Sequence, residues 1–168
     1  MLNKLNHTFI LGIALIAMPS VWGQLTTSTN QSPAQLVQNV LVGNGVTVSN
    51  VSFTGDPDAI GSFNGANTNL GLSTGIVLTT GTVKSGTGVF GAEQGPHGAN
   101  TDGSAGMDNN AAGDAQLTAI AGETTYNAAI LEFDFVPNSD SVKFKYVFGS
   151  EEYPEFVNAG FNDVFAFF

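Results

Sequence analysis

Between Ala128 and Phe148 apolar and polar side chains alternate with a period of two, first in AAILEFDFV and again in SVKFKYVF, with PNSD between them. A pleated strand gathers every second residue on one face, and a helix does not. A chain carrying this pattern must therefore build around sheet. Pairing Val136 with Ser141 across the turn predicts a hairpin. Phe135 would then meet Val142, Phe133 would meet Phe144, and Leu131 would meet Tyr146 on an aromatic face. The opposite face sets Asp134 against Lys143 and Glu132 against Lys145, exposed ion pairs of about 0.2–1 kcal/mol each.

Those two lysines matter because basic residues are scarce. The 168-residue chain holds four Lys+Arg against fourteen Asp+Glu, a net charge of −10. Such a surface repels nucleic acid and anionic lipid, which are held by Lys/Arg patches, and it suits divalent cations. There is no cysteine. Disulfides, thiolate metal sites and a cysteine-linked lipid anchor are excluded with it.

Residues 1–23 read as a signal peptide. MLNKLNH supplies a short basic segment, TFILGIALIAM an apolar one, and Val21 and Gly23 a small-residue pair before cleavage at Gln24. The apolar run falls short of the about 20 residues that span a bilayer, and no later segment comes closer. Without Lys4 the exported chain keeps three lysines against fourteen acids, a net of −11.

Residues 24–31 are a polar leader, and 32–168 form the folded β domain. SPAQLVQNVLVG predicts a helix over 33–41, with Ser32 as N-cap, Pro33 at the first helical position and Gln35 closing a capping box. Leu36, Val37, Val40 and Leu41 form its apolar face. VTVSNVSFTG alternates through Val46 and Val48, then changes phase to Val51 and Phe53, which predicts a bulge near Ser49-Asn50. AIGSFNG and GIVLTTG are two further short strands, the latter apolar on both faces and so expected at the centre of a sheet. Residues 81–116 hold nine glycines and the acids Glu93, Asp102, Asp108 and Asp114 without periodicity, so they read as a loop. GDAQLTAIAG makes a second helix, capped by Asp114 and ended by Gly122. NDVFAFF runs apolar to the end, which predicts a chain cut in mid-strand, with further domains downstream.

Several motifs carry chemistry on paper. GLSTG at 71–75 fits the G-x-S-x-G nucleophile elbow, but that turn needs a helix after the serine, and a β-branched run follows. His97 stands without other His or Cys ligands, which is weak support for zinc or general-base work. Asp108-x-Asn110 resembles the start of an EF-hand loop, yet Ala119 occupies the place of its bidentate glutamate. GSEEYPEFVNAGFNDVF is the strongest. Glu151, Glu152 and Glu155 leave a strand end at Tyr153-Pro154, and Asn162 and Asp163 precede the next strand. Oxygen-only donors on two neighbouring loops suit calcium, and the competing reading is a solvated acidic rim. Paired carboxylates also serve glycosidases, but nothing here distinguishes an acid from a nucleophile.

The strings GVTVSNVSFTG, AIGSFNG, NLGLSTGIVLTTG, AAILEFDFVP, YVFGSEEYPEFV and FNDVFAFF occur in an order that resembles choice-of-anchor L domains. The likeness runs over about residues 33–168. It implies a secreted bacterial cell-surface protein, large and multi-domain, with a C-terminal anchor or sorting signal and, in many relatives, type IX secretion. Relatives continue past FNDVFGFF into ISGPG-like residues, and Ala166 stands here where they have Gly. The resemblance implies no catalytic residues.

The resulting expectation is an all-β, jelly-roll-like β-sandwich with two short helices, truncated at its C-terminus. Its function is a secreted surface or adhesion module that binds calcium through Glu151, Glu152, Asp163, Glu155 and Asn162 and meets an extracellular glycan or surface protein. The alternatives are part of a glycan-degrading enzyme and a passive spacer.

Overall fold

A computed structural model describes residues 25–43, 45–83, 109–150, 156–160 and 163–168. The signal peptide expected over 1–23, together with Lys84, Glu93, His97, Asp102 and Asp108 of the Gly-rich stretch, lies outside them.

Among the described residues two open antiparallel sheets and two short α-helices make up the architecture, in keeping with an all-β chain. The first sheet takes the order β1 (Thr26–Ser28), β3 (Ile60–Asn64), β4 (Thr74–Leu78). β1 lies within the stretch read as a polar leader, where Thr26 and Thr27 favour extended backbone. The GIVLTTG strand, expected at the centre, is β4 and among the described residues stands at the edge, while β3 carries ladders on both sides. β3 can take the central place because Gly61 lets neighbours close in. A Cβ there would stand 2.5 Å from the Ser28 carbonyl oxygen and 2.6 Å from Val83 Cγ1.

The second sheet pairs β2 (Thr47–Thr54) with β5 (Ile130–Val136). Its register slips between Ser49 and Ser52, so Asn50 and Val51 together oppose the single residue Phe133. This is the bulge that the phase change foretold. It lets Val48, Val51 and Phe53 all be half-buried although their spacing is not a strict two. Asn50 absorbs the bend at φ 52°, left-handed backbone that asparagine tolerates better than most residues.

The expected hairpin does not form. Residues 137–150 carry no ladder, and β5 finds its partner in β2 instead. The reason is that β2 offers the same two-faced pattern. Val48 faces Phe135 and Phe53 faces Leu131, while Ser49 faces Asp134 and Ser52 faces Glu132. The β5 acids are hydrogen-bonded there rather than ion-paired with lysine. Asn50 Nδ2 donates to Asp134 Oδ2 at 2.6 Å, and Ser52 Oγ donates to Glu132 Oε2 at 3.4 Å. Phe133 is half-buried, and its ring neighbour is Phe135 at 6.0 Å.

A helix ties the sheets together. Ser32 caps α1 (Pro33–Leu36), with both arms of the capping box made: Gln35 N donates to Ser32 Oγ and Ser32 N donates to Gln35 Oε1. The helix then widens into a π-helical segment, Val37–Leu41, closed by a bond from Val42 N to Val37 O at 3.0 Å. Together they pack against β2, β3 and β4. The core sits at this junction. Leu36, Val37 and Val83 are the fully buried large side chains among the described residues.

The second helix, α2 (Ala115–Ala121), is built as its caps require. Asp114 Oδ1 accepts from Gln116 N and Leu117 N, and Gly122 ends it at φ 76°. Asn109 Nδ2 donates to the carbonyl oxygens of Thr80 and Gly81, which holds residue 109 against the end of the segment after β4.

Candidate functional site

Of the acidic cluster, Asp163 falls within the described residues, where it is exposed; Glu151, Glu152, Glu155 and Asn162 lie outside them. The described chain on either side of it makes aromatic contacts. Phe144 meets Phe167 at 4.4 Å between ring centroids, Tyr146 meets Phe165 at 5.4 Å, and Phe148 meets Phe165 at 5.9 Å. Residues 144–148 and 165–167 therefore run past each other in opposite directions. Ser150 and Asp163 each lie two residues beyond the last of these contacts, on the same side. The chain linking them includes a turn at 156–160, with Ala159 N bonded to Phe156 O at 2.9 Å and positive φ at Asn158 and Gly160. Among the described residues no group of three or more His, Cys, Asp or Glu could hold a metal.

These rings are largely solvent-exposed, Phe144 at 56% and Phe167 at 59%, and so is the neighbouring Phe168 at 79%. A contiguous aromatic surface of this kind drives association in water. Residues 24–168 expressed alone should elute from a sizing column as dimers or larger species. Replacing Phe144 and Phe167 with serine should return the chain toward the monomer. A wild-type chain that stays monomeric at high concentration would mean that this surface is inert.

A second feature was not foreseen. Where α1 and its π segment cross β2, an open groove of about 410 Å³ forms. Gln35, Gln38 and Asn39 line one wall, and Ser49, Asn50 and Val51 of the bulge line the other. Ala34 and Val48 complete the lining. Two of the amides are already fixed. Gln35 Oε1 accepts from Ser32 N at 2.9 Å, and Asn50 Nδ2 is held by Asp134. Gln38 and Asn39 are exposed. The sequence did carry a signal, since Gln35, Gln38 and Asn39 stand at i, i+3 and i+4 and share a helix face. What it lacked was the partner strand.

The G-x-S-x-G match resolves as a turn. Ser73 accepts a hydrogen bond from Gly65 N through its carbonyl and leads into β4, not into a helix.

Compared with known proteins, residues 24–168 match the family model described as Choice-of-anchor L domain. No curated protein matches the chain, and no solved structure does. Among the described residues no helix is long and apolar enough to cross a membrane.

Proposed function

This chain belongs to the choice-of-anchor L domain family, and on that premise we propose that it is a calcium-binding module of a secreted, surface-associated protein, without catalytic activity of its own. The observation that carries the reading is the crowding of Glu151, Glu152, Glu155 and Asp163 into thirteen residues. Carboxylates brought together repel one another unless a cation or open water intervenes. Lys143 and Lys145 are nearby in sequence and are not matched to Glu132 and Asp134, but two ammonium groups leave half of four carboxylates uncompensated. Calcium takes six to eight oxygens, so Glu151, Glu152 and Asp163, aided by Glu155, Asn162, carbonyls and water, would make up the donor set. The two antiparallel sheets bridged by α1 would be the layers of a jelly-roll-type sandwich. Its partner would be an extracellular glycan or another surface protein.

A module of this kind typically binds calcium at about 10⁻⁴–10⁻³ M, which keeps the site loaded outside the cell. At a hundredfold excess over Kd the ion adds about 2.7 kcal/mol. The melting midpoint should therefore rise by about 5 °C or more between chelator and saturating calcium. Equal midpoints would return the acids to a solvated rim. Release of reducing sugar from polysaccharide by the chain alone would replace the module with a glycan-degrading enzyme.

A further inference from the structure

We propose that the groove between α1 and the β2 bulge binds a neutral, polyhydroxylated ligand, specifically an oligosaccharide. Two departures from regular backbone converge on it. The π-helical segment supplies Gln38 and Asn39, the bulge supplies Ser49 to Val51, and Asn50 sits in left-handed backbone. π-Turns and bulges are each over-represented at functional sites, where they redirect side chains that a regular element would aim elsewhere. Here both redirect amides toward one space.

The lining selects the ligand. Gln35 has its oxygen tied to Ser32 N, which leaves its Nε2 to donate. Asn50 has its nitrogen tied to Asp134, which leaves its Oδ1 to accept. A fixed donor and a fixed acceptor, supplemented by the amides of Gln38 and Asn39, match adjacent hydroxyls, each of which donates and accepts. Fixing these groups beforehand reduces the ordering cost of binding. Val48, Val51 and Ala34 give aliphatic surface for the C–H face of a sugar ring. No Lys or His lines the groove, and the chain carries a net charge of −10, so phosphate, sulfate and uronate ligands are disfavoured. An extended peptide fits less well, because the bulge interrupts the regular spacing of backbone groups that strand addition needs.

This proposal rests on the surface-module reading for the kind of ligand encountered, and not on calcium. Saturation-transfer NMR on the full chain, with cellotriose, maltotriose and mannotriose at millimolar concentration, tests it in chelator and in calcium. At least one trisaccharide should receive saturation in both conditions. Gln38→Ala combined with Asn39→Ala should raise its Kd about tenfold while the melting midpoint stays unchanged, since two hydrogen bonds are lost from exposed positions. Gln116→Ala, exposed on α2, should leave binding intact. No transfer to any of the three, or transfer indifferent to the groove variant, would overturn the proposal. An uncharged tripeptide that binds as tightly, and is lost in the same variant, would overturn the saccharide assignment. Groove binding that persists in chelator stands even if calcium leaves the melting point unmoved.

Discussion

Leu36→Ala should cost about 2–5 kcal/mol, the largest loss expected from truncating any of the fully buried side chains among the described residues. Leu36 is 0% exposed at the point where the helix reaches both sheets. Removing its branched end leaves a cavity that fixed strands on either side cannot fill. The described core contains few side chains of this kind, so the loss is a large share of a typical domain stability of about 5–15 kcal/mol. Leu41 provides the control on the same helix. It is 40% exposed, and Leu41→Ala should cost under about 1 kcal/mol. Urea unfolding of the two variants reads the difference directly. Equal midpoints would mean that α1 does not clamp the sheets.

Gly113→Ala should also be damaging, at about 1–3 kcal/mol or more. The cost is steric and not conformational, because Gly113 is not among the residues of positive φ. An added Cβ would fall well inside contact distance of the Thr125 carbonyl and 2.6 Å from Thr125 Oγ1. Thr125 cannot step aside cheaply. Its hydroxyl shares a 2.8 Å bond with Thr118 Oγ1, accepts from Asp114 N and donates to Asp114 O. Displacing it would loosen the start of α2 together with its Asp114 cap. Gly43, whose added Cβ would meet nothing within 4 Å, should accept alanine without loss. A Gly113→Ala chain that melts with the wild type would show that Thr125 gives way to the added Cβ at little cost.

What the sequence revealed follows the range of the interactions. Caps act over three or four residues, so Ser32 with Gln35 and Asp114 with Gly122 could be placed directly. The bulge was legible too, because a change of phase between Val48 and Val51 has no other cheap explanation in a strand. Strand pairing is a different matter. β5 is equally suited to 141–148 and to β2, since both alternate and both offer polar partners for Glu132 and Asp134. Proximity in sequence favoured the hairpin, while β2 satisfied those acids with Asn50 and Ser52. The edge position of β4 was hidden for a related reason. Two apolar faces speak of burial, and neighbouring layers can supply that without a second strand partner. The groove needed two segments that only the fold brings together. The acidic cluster is the reverse case, named by composition alone through Glu151, Glu152, Glu155 and Asp163.

Calcium titration of the intact chain by calorimetry, against the same titration of Asp163→Ala, tests the proposed function most directly. The wild type should take up one ion per chain at about 10⁻⁴–10⁻³ M. Asp163→Ala should weaken uptake at least tenfold, since it removes a charged donor from a set with few to spare. Heat changes no larger than those of magnesium or of the buffer blank, the same in both chains, would contradict the account and leave these acids as solvated surface.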